Sequence, residues 1–292
     1  DVHASLHLAQ IGSSLSPRAL LDIGVCLRAS RAARDAIVTD RQDTPLLSAN
    51  ASRLSTFKLI EQAISDAIIS EDEIADRASN ELFQIRRKMR ACNERVRERL
   101  NGMIHNQTFQ KYLQDAIITM RAERYVLPVR AEYRSMVPGI VHDQSATGAT
   151  VFIEPMSVVE IGNELKQLIS AEKAEIEKIL RTLSAQIAPE AEAIEDNLAI
   201  LAQLDFAFSK ASMAKQMDGC MPKMNREGRL NIVQGRHPLI DPQKVVPLDI
   251  RLGNDFTTLI ITGPNTGGKT VTLKTTGLFT LMAQSGLQVP AE

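Results

Sequence analysis

Aromatic residues are scarce in this chain. They make up 4% of its 292 residues, and tryptophan is absent. With only 15 glycines as well, a sandwich built of many short strands and tight turns is disfavoured. Cysteine is nearly missing too: Cys26, Cys92 and Cys220 are far apart and form no CxxC pair. That excludes a zinc ribbon and a redox dithiol, and an odd count in a long chain suits a reducing compartment. A cytoplasmic location is expected. No apolar run approaches the ~18 residues that a membrane span needs, and no signal peptide is visible, so no membrane partner is expected. An excess of one charge is also lacking. Lys and Arg number 34 against 35 Asp and Glu, a formal net charge of -1. No global field demands nucleic acid, and only local patches could attract it.

What is present is ordinary for a folded chain: 44% hydrophobic and 24% charged residues. Wholly disordered sequence is excluded. The length suggests about two domains. The chain begins at Asp1 without Met and stops at Pro290-Ala291-Glu292, and it reads as an excised piece of a longer protein.

Residues 1–110 read as helical. Ser16 before Pro17 is a helix start, with Leu20, Ile23 and Leu27 at helical spacing. A second helix is expected from about Asn50 to Ala67, with Leu54, Phe57, Ile60 and Ile64 on one face. Ser70-Glu71-Asp72-Glu73 reads as a cap with acid in the first turn. From there Leu82, Ile85, Met89, Cys92, Val96 and Met103 form a heptad-like seam, flanked by Arg86, Arg87, Lys88, Arg90, Arg95, Arg97 and Arg99. Residues 115–155 change to short β-type runs: 117–120, 125–129, 139–141 and 149–153. Pro128 predicts an edge position for its strand. Helix returns at Pro155-Met156-Ser157, with Val158, Ile161, Leu165, Leu168, Ile176, Ile179, Leu183 and Ile187 in step and Glu172 as a polar intruder. Pro189 should kink or restart this helix, which Gly219 and Pro222 then end.

The outgoing helix is basic and the returning one acidic. Opposite-sign flanks predict that 80–105 and 156–187 pair as an antiparallel coiled-coil arm with a β-rich tip. The fold class is therefore mainly α, with a small antiparallel β unit and a change of character at 229–292.

That last block carries the chemistry. Phe256 to Thr262 is a buried-strand candidate. Gly263, Pro264, Asn265, Thr266, Gly267, Gly268, Lys269 and Thr270 then match GxxxxGK[ST], and an amphipathic helical run follows. Glycines let the backbone wrap phosphate oxygens, with N–H groups and the helix N-terminus pointing at them. Lys269 supplies a mobile cation for the β- and γ-phosphates, and the Thr270 hydroxyl suits Mg²⁺. ATP with Mg²⁺ is the expected ligand.

Gly235-Arg236-His237-Pro238-Leu239-Ile240-Asp241, Val246 to Ile250 and Leu259 to Thr270 together resemble the start of the MutS-family ATPase. Thr266, with Tyr125 to Tyr133 and His142 to Pro155, is similar to the second bacterial MutS paralogue. The resemblance is strong over 121–168 and 235–290, and before residue 110 it rests mainly on helix layout. It implies a helical core and lever over 1–110, a β-rich clamp over 111–155, returning lever helices over 156–222 and the N-terminal part of an α/β ABC-type ATPase domain over 223–292. It implies an ATPase that is a homodimer in its full form. Its implied partners are branched or duplex DNA, in suppression of recombination, or the ribosome and its rRNA, in rescue after collision. It also implies a C-terminal Smr nuclease domain, which these 292 residues lack. Arg236-His237-Pro238 falls where the family's loop lies near the adenine, so His237 joins the nucleotide set. Leu248 stands where relatives often have Asn, a departure that bears on adenine contacts.

Arg121, Arg124, Arg130 and Arg134, interleaved with Tyr125 and Tyr133, are the nucleic-acid candidates. Alternating patterning on a small sheet, with these arginines paired to Glu123, Glu132 and Glu154, is the competing reading. The basic run 86–99 reads first as a solvated face paired with the acidic helix, and second as a phosphate contact. His142-Asp143 lacks a nucleophile at useful spacing. His3, His7 and His105 lack ligand spacing, and no catalytic residue is assigned. A coiled-coil binding module without its own catalysis remains the alternative function. A cohesin-type ATPase is disfavoured because there the phosphate loop precedes the arm.

Overall fold

The computed structural model describes residues 2–38, 44–263 and 268–292. Contacts divide the chain into one unit of residues 1–36 and 54–198, and a second of residues 37–53 and 199–292. The helices of the first stretch are α1 (Val2–Gln10), α2 (Pro17–Val38), α3 (Pro45–Ser52) and α4 (Lys58–Ala67). Ser16 caps α2, its Oγ accepting the Ala19 N–H at 3.2 Å. The helix expected over 50–67 is broken at 53–57. There Asn197, fully buried, accepts the Ser55 N–H and donates to the Ser55 carbonyl, both at 2.8 Å. A distant amide thus replaces the intrahelical bonds that local periodicity favoured.

The cap expected at Ser70 is instead a hairpin. Strands β1 (Ile68–Ser70) and β2 (Glu73–Ile74) pair antiparallel, Ile68 opposite Ile74, and the acids 71–72 form its turn. The real cap is Ser79, whose Oγ accepts the Leu82 N–H and starts α5 (Asn80–Ile104). A four-residue helix, α6 (Gln107–Gln110), follows, capped by Asn106.

Next come β3 (Thr119–Arg121), β4 (Arg124–Arg130), β5 (Gly139–Gln144) and β6 (Thr150–Pro155). They form one antiparallel sheet in the order β3-β4-β6-β5. Pro128 is therefore on an inner strand, contrary to the edge expectation. Its flank opposite β6 is covered by residues 112–114, where it only has to accept: the Gln114 N–H donates to its carbonyl at 2.9 Å. The sheet's inner face, Leu127, Val129, Val151 and Ile153, packs on Cys92, Val96 and Leu100 of α5.

Helix α7 (Met156–Ile187) returns along α5, and α8 (Ala191–Gln216) follows a short 3-10 turn at Pro189. The α5–α7 pairing is antiparallel. Ser79 meets Glu175, Arg86 meets Glu172, Arg95 meets Glu164 and Ser157 meets Met103. Glu172, the polar intruder of the seam, is thus the partner of Arg86. The outgoing seam differs from the heptad reading at its far end. Leu100 and Ile104 are the buried residues there, and Met103 packs only from the edge.

In the second unit, β7 (Leu230–Gly235) and β8 (Leu248–Leu252) form an antiparallel pair, and α9 spans Lys269–Gln284. Ile232, Phe279, Met282 and Val289 make its small core. The buried strand expected at 256–262 is not formed. Leu259, Ile260 and Ile261 are exposed and no strand pairs with them among the described residues. A strand exists only through a laddering neighbour, and 256–262 have none among the described residues.

Candidate functional site

Two places gather the sequence candidates. The first is the start of α9. Gly263 and Gly268 have φ of 140° and 80°. These are left-handed-region conformations that L side chains rarely adopt, and a Cβ at either would meet nothing within 4 Å. Backbone conformation, not crowding, therefore requires glycine at both. Gly268 is the N-cap of α9, so the helix opens on Lys269 and Thr270. The Lys269 ammonium donates to the Gly263 carbonyl at 2.6 Å, bringing the two ends of the loop together. Thr270 is exposed. Pro264, Asn265, Thr266 and Gly267 lie outside the described residues.

The helix N-terminus, a cation and a hydroxyl at this point form a donor set that suits a polyphosphate with Mg²⁺. His237 lies two residues past β7. Its Nδ1 accepts the Leu239 N–H at 3.3 Å, so it shapes its own loop. Asp249 also has a structural task, holding the left-handed Gln234 (φ 50°) through that residue's N–H at 2.7 Å and its side-chain amide. Gly235 faces Phe279 of α9, where a Cβ would come within 3.0 Å of the ring. The His237 loop therefore leaves from a strand packed directly on α9. No group of three or more acidic, His or Cys residues suited to a metal occurs among the described residues.

The second place is the β unit on α5 and α7, where the four arginines separate into two kinds. Arg124 is mostly buried and bonds Glu154 at 3.1 Å and Asn163 of α7 at 2.7 Å. Glu154 is 2% exposed and also holds His142 Nε2 at 2.7 Å. Gly162 makes room for this cluster: a Cβ there would lie 2.5 Å from Glu154 Oε1. Arg121 pairs with Asp143 at 3.2 Å and lies over the Phe152 ring at 4.4 Å. His142 and Asp143, adjacent in sequence and without a nucleophile at useful spacing, thus each have a partner within the β unit, Glu154 and Arg121.

Arg130 and Arg134 are exposed, and their side chains make no ion pair or hydrogen bond with the described residues. Of the tyrosines, Tyr125 is tied down by its hydroxyl, which donates to Asn93 at 2.9 Å. Tyr133 instead stacks at a tilt on Tyr112, ring centroids 5.4 Å apart. Tyr112 was missed in the sequence. The signal was its backbone bridge to the arginine strand, which only the fold reveals: the Arg130 N–H donates to the Tyr112 carbonyl at 2.9 Å.

On the basic helix α5, Arg86, Arg90 and Arg95 are paired to acids. The Arg86 guanidinium is lowered by burial, but hydrogen bonds to Glu172 and Asp76 outweigh this and leave it raised. Asp76 is held below its ordinary value by Arg86 and then Arg90. Arg87, Lys88, Arg97 and Arg99 are exposed. A cavity of about 380 Å³ between α4 and α7 is lined by Asp66, Arg77, Glu175 and Lys178. These are already engaged with one another or with backbone, so it holds none of the chemistry above.

No protein-family model matches the chain. Among curated proteins, it is 51% identical over 295 residues to the Endonuclease MutS2 of Clostridioides difficile (strain 630). It is 51% identical over 294 residues to that of Geobacillus sp. (strain WCH70), and 50% identical over 295 residues to that of Agathobacter rectalis. Each match covers 100% of the chain. The chain spans 37–38% of the length of these relatives.

Proposed function

Taking the chain as what its sequence makes it, a stretch of a MutS2-type protein, we propose that it supplies the lever, the clamp and the opening of the ATPase domain of a nucleotide-gated nucleic-acid clamp. In the full-length dimer, ATP binding and hydrolysis would be coupled to closing on branched DNA, and the endonuclease activity for which the relatives are named would come from elsewhere in the protein. The observation that carries this reading is the pairing of two features in one chain. One is a two-helix arm ending in a sheet with free arginines, and the other is a helix opening on Gly268-Lys269-Thr270.

At the nucleotide site, Lys269 would exchange its Gly263 carbonyl for β- and γ-phosphate oxygens. Thr270 would face Mg²⁺, and the N–H groups at the start of α9 would point at the phosphates. His237 would border the base. At the clamp, Arg130 and Arg134 would neutralise phosphates, giving binding that depends steeply on salt and little on sequence. Arg121 and Arg124 would support the sheet instead.

A second reading is favoured by the exposed, unladdered run 257–262: a nucleic-acid or ribosome-binding arm with no catalysis of its own. Fluorescence anisotropy with branched DNA and structured RNA across a salt series, on wild type and Arg130→Ala/Arg134→Ala, separates these cases. The clamp reading expects weaker binding and a shallower salt slope in the double variant. Preference for RNA would move the target to the ribosome, and equal affinities would remove the tip as the contact.

A further inference from the structure

Beside the free arginines lies a shallow pocket of about 310 Å³, lined by Gly102, Met103, Asn106, Thr108, Phe109 and Tyr112. Its volume is at the lower end of small-ligand pockets, which run from about 300 Å³ upward. The wall is aromatic: Phe109 and Tyr112 meet edge-to-face with centroids 5.9 Å apart, and Tyr112 leans on Tyr133. All three rings are half-buried, so each keeps surface to offer.

Gly102 is the second observation. It sits in the last turn of α5, two residues before its end at Ile104, where glycine still favours helix less than alanine does. A Cβ there would meet nothing within 4 Å. Packing within the chain therefore does not explain this glycine, whereas an unobstructed approach to the helix backbone does.

The rim is basic. Arg99 stands one turn from Gly102 on the same helix face. Lys111 precedes Tyr112, and Arg130 is bonded to Tyr112 through its backbone. Arg134 follows Tyr133. All four side chains are exposed and unpaired among the described residues, and the intervening Glu132 pairs with none of them. Asn106 spends its Oδ1 capping α6, accepting from Thr108 and Phe109 N–H groups, which leaves its amide NH₂ as a donor at the edge.

An aromatic hollow of this size, ringed by free cations with a polar donor at its edge, matches the chemistry of an unstacked base and its flanking phosphates. Duplex offers no free base face. We propose that this pocket seats one unpaired base of a single-stranded nucleic-acid segment against Tyr112 and Phe109, with Arg99, Lys111, Arg130 and Arg134 taking the neighbouring phosphates. The proposal rests on the nucleic-acid reading above and deepens it. The clamp would grip not the duplex alone but the single-stranded part that a branched substrate exposes.

The test is anisotropy of the full chain with a labelled oligothymidine, its uridine counterpart and a blunt duplex, each at low and moderate salt. Tyr112→Leu should weaken single-strand binding by about five- to 150-fold, the range of one base–aromatic stack, and leave duplex binding unchanged. Gly102→Ala should also weaken single-strand binding while its melting temperature stays equal or rises, because alanine favours helix. That opposite movement guards against loss of binding through unfolding. Selective loss on either strand chemistry supports the pocket, and the tighter strand tells DNA from RNA. If wild type binds no nucleic acid at all, the nucleic-acid reading falls and takes the pocket with it. If wild type binds and both variants match it on single strands, or lose duplex and single strand equally, the pocket alone is overturned.

Discussion

Glu154 shows how one residue can decide the behaviour of a surface. It is a carboxylate with 2% exposure that accepts from Arg124 and contacts His142. Removing one partner of a buried pair leaves the other charge uncompensated, typically at a cost of about 3–5 kcal/mol. Glu154→Ala should lower stability by that order in urea unfolding, whereas Arg130→Ala, at an exposed and unpaired position, should change it by under about 0.5 kcal/mol. Gly162→Ala should also destabilise, because its Cβ would intrude on the same cluster. The cysteines follow burial. Burial pushes the Cys26 thiol up, and burial followed by Glu164 does the same for Cys92. Cys220 is half-exposed. A thiol reagent at neutral pH should modify Cys220 first, with Cys26 and Cys92 reacting only after denaturation, as peptide mapping by mass spectrometry would show.

At the scale of elements, the α5–α7 arm was legible because its signal is periodic and doubled: two apolar seams and two charge patterns of opposite sign. Its end was not. Leu100 and Ile104, not Met103, are the residues buried against the sheet at the end of α5, a three-dimensional constraint that no helical wheel contains. The four β runs were legible from composition and turns. The position of Pro128 was not, because the segment 112–114 that covers it has no strand signature of its own. The broken helix at 53–57 depends on Asn197, 142 residues away. The GxxxxGK[ST] spacing is a local pattern that the sequence shows by itself, while the strand expected before it would need a laddering neighbour, and none is found among the described residues.

Replacing Leu165 (7% exposed) by Asp puts an unpaired charge into the seam and should cost about 3–5 kcal/mol. Helices far apart or parallel by cross-linking would contradict the arm itself. The arm's base should also be acid-sensitive. Arg86 and then Arg90 hold Asp76 low, and Lys178 and then Ser79 hold Glu175 low, with burial opposing in both cases. Carboxyls depressed in the folded state contribute stability that is fully present above their unfolded values, about 3.9 and 4.3. That contribution is lost as pH falls through the lower folded values. Melting temperature should therefore hold down to about pH 5 and decline below about pH 4, with a smaller decline in Asp76→Asn.

For the whole molecule, the question is what these 292 residues can do with ATP. Phosphate binding needs the loop, Lys269 and Thr270, all of which the chain contains. Hydrolysis needs more: an acid for the metal and a group to orient the attacking water. After Lys269 the sequence holds a single acid, Glu292, and that is 23 residues on with no second carboxylate beside it. Two acids before the loop in the same unit already have structural tasks. Asp249 holds Gln234, and Asp241 pairs with Lys244 and caps its own turn. The chain should therefore bind Mg-ATP without turning it over, so that binding and catalysis separate in one experiment. A fluorescent ATP analogue should report saturable, Mg²⁺-dependent binding that Lys269→Ala abolishes, while phosphate release stays at background in both proteins. Steady-state release that disappears with Lys269→Ala would show that water is being activated by groups within these residues, and the division between a binding loop here and a catalytic acid elsewhere would be wrong. Absence of binding in wild type would point the other way, to a loop that needs a laddered strand behind it before its N–H groups converge on phosphate.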